Sequence, residues 1–194
     1  MPIEFSAAPV DVANEALGLL GKDPITDIED TSDPVAVECL KYYRSLLRTL
    51  LRDHAWNFAK ARVQLAENAT EPLSQWAHSF TLLATCYRVL QVNNSDESRW
   101  EIEGRELRTD ETTIIIEYIA WTDDPNIWDG SFHQAFVTLL ASRLATVLNS
   151  DMRKSNDLYK LYQVQILDAK AIDGQESARE AMRCSVLTDD IREE

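Results

Sequence analysis

The sequence predicts an α+β protein that is mainly α-helical: a helical bundle with a small antiparallel β-sheet inserted between its two helical halves. Near both ends of the chain, apolar residues recur every three or four positions, which is the spacing of one helix face. In the middle the period changes to alternation, with Ile114, Ile116 and Tyr118 on one predicted strand face. Helical, alternating and again helical patterns within 194 residues favour this class.

Two helices are predicted in the first third of the chain. The first covers about 9–20, because Pro9 suits a first helical turn and Gly21 suits a helix end. The second covers about 33–55, and its start is marked by Ser32 or Asp33, either of which is a good cap, with Pro34 in the first turn. Its apolar residues keep the three-and-four spacing over five turns: Ala36, Cys39, Leu40, Tyr43, Leu46, Leu47, Leu50 and Leu51.

The β insertion is predicted over about 87–120, as three or four antiparallel strands. Segment 56–65 fits either a continued helix or an extended piece, and both alternatives stay open. Glu117 interrupts the apolar run of the last strand, so we expect it on the solvent face of an edge strand. Two further helices are predicted over about 127–149 and 155–173, of which the first is apolar on most of its circumference and should be central.

The domain organisation follows from these elements. Residues 1–173 are predicted to form a single domain, and residues 174–194 a C-terminal extension. The extension begins at Gly174 and mixes charges with scattered apolar residues, so we expect it to be weakly helical at best and to order only against a partner.

The charge distribution argues against a nucleic-acid-binding protein. Formal net charge is −14, and residues 1–38 carry nine acids against one lysine. Residues 41–62 are the exception, with six Lys or Arg and one Asp. Such an acidic chain lacks the overall cationic density that drives phosphate binding.

The sequence does not indicate a membrane protein or a disulfide-stabilised secreted protein either. The three cysteines have long spacings and no Cys-x-x-Cys pair, so reduced thiols are expected. The first residues lack the basic and apolar regions of a signal peptide. The longest apolar zone, 132–148, is interrupted by polar residues and an arginine, so it does not predict a membrane span.

No pattern of a catalytic, cofactor or metal site is present, and the sequence predicts a protein that is not an enzyme. Glycine-rich phosphate loops and nucleophile elbows are absent, and the three histidines share no metal-ligand spacing. Acidic pairs such as Asp123-Asp124 fall in predicted turns, where solvation is their expected role. His54 lies beside Trp56 and Phe58, which favours a packed structural histidine.

A set of spaced residues resembles a known family. The set begins with Leu17-Gly18 and the helix from Tyr43 to Arg52, and it continues with the strand Tyr87-Arg88-Val89. Between them stands the run His54-Ala55-Trp56-Asn57-Phe58-Ala59. In order and spacing these residues resemble the tail tubular protein A family, the head-to-tail adaptor proteins of short-tailed bacteriophages. One departure is Ala84-Thr85-Cys86, where a proline is expected; it affects only the local turn.

The resemblance implies a structural role in the virion. Family members form a dodecameric ring under the portal protein, carry the tail nozzle protein below, support tail fibres, and let DNA pass through the centre without specific binding. The protein would be made in the host bacterial cytoplasm and reside at the head–tail junction. In such a ring, Arg44, Arg48 and Arg52 could pair with an acidic neighbour. The candidate residues for docking on the portal are Met182, Val186 and Leu187.

Two other functions are considered. A tail-associated polysaccharide or cell-wall hydrolase would need two carboxylates opposed across a cleft, one of them in an apolar pocket. A regulatory DNA-binding protein would bind DNA through the basic segment 41–62. The predicted helix in this segment has Leu and Tyr on one face and lacks the polar residues that read bases.

Overall fold

The computed structural model describes residues 7–70, 72, 75–95 and 98–189, and side chains as far as residue 176. The α+β, mainly α class is confirmed, because 50% of the chain is helical and the remainder includes two small antiparallel sheets. Two compact units are present. A helical unit contains the chain up to Leu50 and from Asp123 onward, and a sheet unit contains Leu51–Thr122.

Helix α1 (Pro9–Leu20) begins and ends where the sequence predicts. Asp11 Oδ2 accepts a hydrogen bond from the Ala8 backbone N–H at 2.7 Å, which satisfies a donor at the first turn. At the other end Gly21 has φ 69°, the left-handed conformation in which a side chain costs energy, and its N–H donates to the Gly18 carbonyl.

Helix α2 (Pro34–Asp53) starts at the predicted cap and ends two residues before the predicted end. The Asp33 carboxylate accepts a hydrogen bond from the Val35 N–H at 2.8 Å. The buried residues follow the predicted apolar face: Ala36, Cys39, Tyr43, Leu47, Leu50 and Leu51.

Helix α3 (Gly130–Asn149) begins three residues after the predicted start. Pro125–Ile127 forms a 3-10 turn instead, and Asp129 caps α3 by accepting from the Ser131 N–H at 2.8 Å. The expectation that this helix is central is confirmed, because most of its side chains between Phe132 and Ala145 are buried. It packs against both α1 and α4.

Helix α4 (Met152–Asp189) corrects the predicted C-terminal boundary. The sequence placed its end at Asp173 and a weakly helical extension after Gly174, yet the backbone is helical as far as Asp189. A glycine inside a helix costs roughly 1 kcal/mol relative to alanine. That penalty lowers helix propensity but does not end a helix whose preceding turns are packed.

The sheet unit is larger than predicted, because its strands start at Lys60 and not near 87. Asn57–Ala59 forms a 3-10 turn, and an extended strand follows, so the extended alternative for 56–65 is the observed one. One sheet has the order β1–β6–β3 and the other β2–β5–β4, all antiparallel. The strands are β1 (Lys60–Leu65), β2 (His78–Thr81), β3 (Cys86–Val92), β4 (Trp100–Glu103), β5 (Glu106–Thr109) and β6 (Ile114–Ala120).

Strand β6 is the central strand of its sheet, so the predicted edge position of Glu117 is wrong. Arg62 lies opposite Glu117 on β1, and its Nη2 is 2.7 Å from Glu117 Oε2. This cross-strand ion pair lets a carboxylate occupy a central strand. The two sheets share one hydrophobic core, which includes Phe80, Leu107 and Ile116.

Candidate interaction surfaces

The aromatic motif of the sequence lies at the start of the sheet unit. Trp56 is 1% exposed, and its ring centroid is 4.6 Å from that of His54 and 6.0 Å from that of Phe58. His54, Asn57 and Phe58 are half-buried around it. The buried indole therefore packs in the segment between α2 and β1, and the motif His54–Ala59 has a packing role.

Tyr43 is the centre of a second aromatic cluster, in the helical unit. Its ring stacks on Trp128 at 6.3 Å and meets the edge of Phe136 at 5.1 Å. Burial raises the pKa of the Tyr43 hydroxyl far above its usual value, and the nearby charges of Asp123 and Asp124 add to the shift. Such a hydroxyl stays protonated, which suits a packed residue and not a proton donor in catalysis.

The other two motif residues lie on α1 and differ in burial. Leu17 is fully buried. The sequence leaves open whether these motif residues belong to the core; Gly18 does not, because it is exposed and a Cβ added to it would meet no atom within 4 Å. The helix turns this position away from the side that carries the buried residues Ala13, Ala16 and Leu20.

The basic side chains of α2 are exposed, and part of their charge is neutralised by neighbouring acids. Arg44 Nη2 lies 2.8 Å from Glu29 Oε1, and Lys41 Nζ lies 3.1 Å from Glu38 Oε2. Arg48 is exposed and makes no hydrogen bond or ion pair to the part of the chain that the structure describes. Arg52 belongs to the sheet unit, where its Nη1 donates to the Tyr87 carbonyl at 3.5 Å. Of these four residues, Lys41 and Arg44 are the ones paired with acids of the described chain.

An apolar surface on α4 is more prominent, and sequence reasoning did not separate it from the buried side of this helix. Leu161, Val164 and Leu167 are 50%, 59% and 67% exposed. Ile166 and Ala169 point to the opposite side and are buried. The sequence signal for this surface is that apolar residues occur around the whole circumference of a helix that also carries charges, so some of them must be exposed. We call Leu161, Val164 and Leu167 the α4 apolar face.

The carboxylates considered as catalytic candidates have structural partners. Asp124 accepts hydrogen bonds from the Asn126 backbone N–H at 3.0 Å and from its side-chain amide, and these bonds lower the Asp124 pKa. Glu117 pairs with Arg62. Among the described residues, no cluster of three or more His, Cys, Asp or Glu could hold a metal ion.

The histidines are separated and each contacts a different group. His78 Nδ1 lies 2.6 Å from Glu67 Oε1, and His133 Nε2 lies 2.9 Å from Glu15 Oε2. His54 meets the edge of the Trp56 ring.

Within the described ranges, none of the helices has both the length and the apolar character required to cross a bilayer.

The candidate portal-docking residues lie on the last turns of α4. The backbone at Met182, Val186 and Leu187 is helical, and their side chains lie outside the described residues. No protein-family model matches this chain, and no curated protein matches its sequence.

Proposed function

We propose that this protein is a structural head-to-tail adaptor of a short-tailed bacteriophage. In this proposal it is not an enzyme. It forms a dodecameric ring below the portal, joins the portal to the tail nozzle protein and fibres, and contributes to the channel for DNA ejection. The support is the resemblance carried by Leu17-Gly18, the Tyr43–Arg52 helix and the Trp56 motif, together with a surface suited to assembly.

The observation that carries the proposal furthest is the α4 apolar face. Leu161, Val164 and Leu167 follow one another at helical spacing and are at least half exposed. Burying apolar surface is worth about 25 cal/mol per Å², so a protein gains stability by covering such a face. We propose that a neighbouring copy covers it in the ring.

A closed ring of identical copies needs two different surfaces that fit each other. In our proposal the α4 apolar face is one of them, and exposed Arg48 contributes on another side by pairing with an acidic neighbour. The four helices are proposed to form one bundle that supports these surfaces. The acidic remainder of the surface lets DNA pass the ring without adhering.

The test is electron microscopy of the purified protein, alone and mixed with its portal protein. Rings of defined size on the portal are expected for the wild type. Val164→Asp combined with Leu167→Asp should abolish rings while leaving the thermal midpoint within a few degrees, because both side chains are exposed in the single chain.

The control is Leu19→Asp on α1, which places one negative charge, where the double variant places two, at a side chain 45% exposed and should leave rings intact. A wild-type protein that stays monomeric in the presence of portal would contradict the adaptor proposal. Intact rings in the double variant would remove the α4 apolar face from it.

A further inference from the structure

Three arginines surround a cavity of about 280 Å³ in the sheet unit. Arg52 comes from the end of α2, Arg88 from β3, and Arg105 from the turn between β4 and β5. Apolar walls are supplied by Leu82, Val89 and Ile102, which line the same cavity. We call this feature the arginine cleft.

Each of the three guanidinium groups donates a hydrogen bond to a neutral backbone carbonyl. Arg88 Nη1 donates to the Arg52 carbonyl at 2.8 Å, and Arg52 Nη1 donates to the Tyr87 carbonyl at 3.5 Å. Arg105 Nη2 donates to the Leu83 carbonyl. Each guanidinium has five N–H donors, so most of the donors in the cleft are left for another group.

The charge of the cleft is uncompensated in the described part of the chain. No Asp or Glu is among its lining residues, and none of the three arginines forms an ion pair there. This concentration of positive charge stands within a chain of net charge −14. Preorganised arginines favour anions with paired oxygens, which carboxylates and phosphates both supply.

The wall chemistry and the overall charge favour an acidic peptide over a nucleic acid. Exposed Ile102 beside Leu82 and Val89 offers contacts for an apolar side chain, which a phosphate backbone does not have. The strong negative charge of the whole chain repels a polyanion, whereas a short acidic segment carried by the protein itself can be delivered locally.

We propose that the arginine cleft binds segment 189–194 of a second copy of this chain. The segment reads Asp-Asp-Ile-Arg-Glu-Glu, with four acids for the arginines and Ile191 for the apolar wall. The contact would be one of the heterologous interfaces of the ring, so the inference rests on the proposed adaptor function. The inference names the two surfaces that meet at this interface: the arginine cleft of one copy and segment 189–194 of the next.

The length of α4 favours delivery to a neighbour. Helix α3 has 20 residues and α4 has 38, and only residues 150 and 151 separate them, so α4 begins at the end where α3 finishes and runs back along α3. At about 1.5 Å per residue, α4 is roughly 57 Å long and extends roughly 27 Å farther than α3. The acidic segment therefore follows an arm that projects past its own packing partner.

The first test measures peptide binding. The receptor is the full chain with Asp189→Asn, Asp190→Asn, Glu193→Gln and Glu194→Gln, which removes its own acidic segment as a competitor. A fluorescent peptide of residues 186–194 should bind it, and raising the salt concentration should weaken binding. Arg105→Gln or Arg88→Gln should weaken binding about tenfold or more, since each removes charge-assisted hydrogen bonds.

The controls separate charge from composition and from folding. A peptide with the same four acids replaced by amides should not bind, and Arg153→Gln, an exposed arginine of α4, should bind the acidic peptide normally. If Arg88→Gln fails to fold, Arg105→Gln keeps the test decisive because Arg105 is exposed. Absence of peptide binding, equal binding of the amide peptide, or binding of duplex DNA but not peptide would each overturn the proposal.

The second test exchanges the charges within the assembly. Asp189→Lys with Asp190→Lys should reduce ring formation on the portal, and adding Arg88→Glu with Arg105→Glu should restore it. Rings that are insensitive to the lysine substitutions would overturn the docking of segment 189–194 and leave the adaptor function standing. Peptide binding without any rings on the portal would overturn the adaptor function and leave the docking of segment 189–194 in the arginine cleft standing.

Discussion

At the scale of single residues, two aromatic side chains fix the two units from within. Trp56 stands between His54 and Phe58 in the sheet unit, and Tyr43 stands between Trp128 and Phe136 in the helical unit. Both are almost completely buried. Packing therefore explains Trp56 and Tyr43, two of the residues that carry the family resemblance.

Replacing Trp56 should be strongly destabilising. Trp56→Ala leaves a cavity in place of a fully buried indole, and such changes cost about 3–5 kcal/mol, a large part of a domain's stability. Chemical denaturation should show this loss, or the protein should be insoluble. The matched control Trp121→Ala, at a half-buried indole, should cost less. Unchanged unfolding of Trp56→Ala would make this tryptophan a surface anchor.

The buried thiol on α2 predicts a loss of stability at alkaline pH. Burial raises the pKa of Cys39 to about 11, and the charges of Asp33 and Glu38 add to the effect. The folded state therefore holds this proton more tightly than the unfolded state, whose thiol has an ordinary pKa near 8.5. The protonated thiol therefore contributes to the free energy of unfolding below about pH 8.5, and this contribution is lost as the pH rises toward 11.

The measurement is the free energy of unfolding between pH 8 and pH 11, compared with Cys39→Ala. The variant should be less stable at neutral pH because it leaves a small cavity, but its stability should fall less steeply with pH. Tyr43 and Cys86 also have raised pKa values, so part of the slope should persist. The same slope in both proteins would argue against a protonated buried thiol as its source.

At the scale of elements, α4 has two parts with different surroundings. Its buried positions extend as far as Asp173, and the described side chains after it, from Gly174 to Glu176, are exposed. The first part belongs to the packed unit, and among the described side chains that packing ends at Asp173. Short unpacked helical segments are marginally stable in water.

Deleting the chain after Asp173 should therefore spare folding and abolish attachment to the portal. The thermal midpoint should change little, and ellipticity at 222 nm should decrease by roughly the share of helix removed. Pull-down with purified portal protein measures attachment. A shorter deletion that removes only 190–194 separates the acidic segment from the helical part. Full attachment of the longer deletion would place the portal contact elsewhere.

At the scale of the whole molecule, the charge is distributed unevenly along the chain. Residues 1–38 and 63–150 are acidic and 41–62 is basic, but Arg44 and Lys41 are already paired with acids of the same chain. Arg62 is likewise paired with Glu117, so three of the six basic residues of this segment are already neutralised within the chain. Most of the remaining surface repels phosphate, within the roughly 8–10 Å over which charges act at ordinary salt.

We expect no measurable binding of duplex DNA at physiological ionic strength, by fluorescence anisotropy with labelled DNA. Because non-specific binding depends on released counterions, replacing exposed acids by lysine should create binding that falls as salt increases. Tight binding by the wild-type chain would contradict both the passage of DNA through an acidic channel and the adaptor proposal.

The sequence by itself determined the features that depend on neighbours along the chain. Helix α1 was predicted to the residue, and the start of α2 nearly so, because proline, capping acids and Gly21 act within one turn. The alternation of Ile114, Ile116 and Tyr118 is local in the same sense, and all three are buried as expected.

Only the tertiary structure decided the features that depend on distant residues. The β1–β6 pairing joins residues 49 to 59 positions apart, so neither β1 nor the central place of Glu117 could be inferred from local sequence. The α4 apolar face became distinct from the buried side only when α3 covered one side of the helix. The arginine cleft needed three arginines from separate elements to meet, since long-range packing, and not local propensity, fixes where side chains converge.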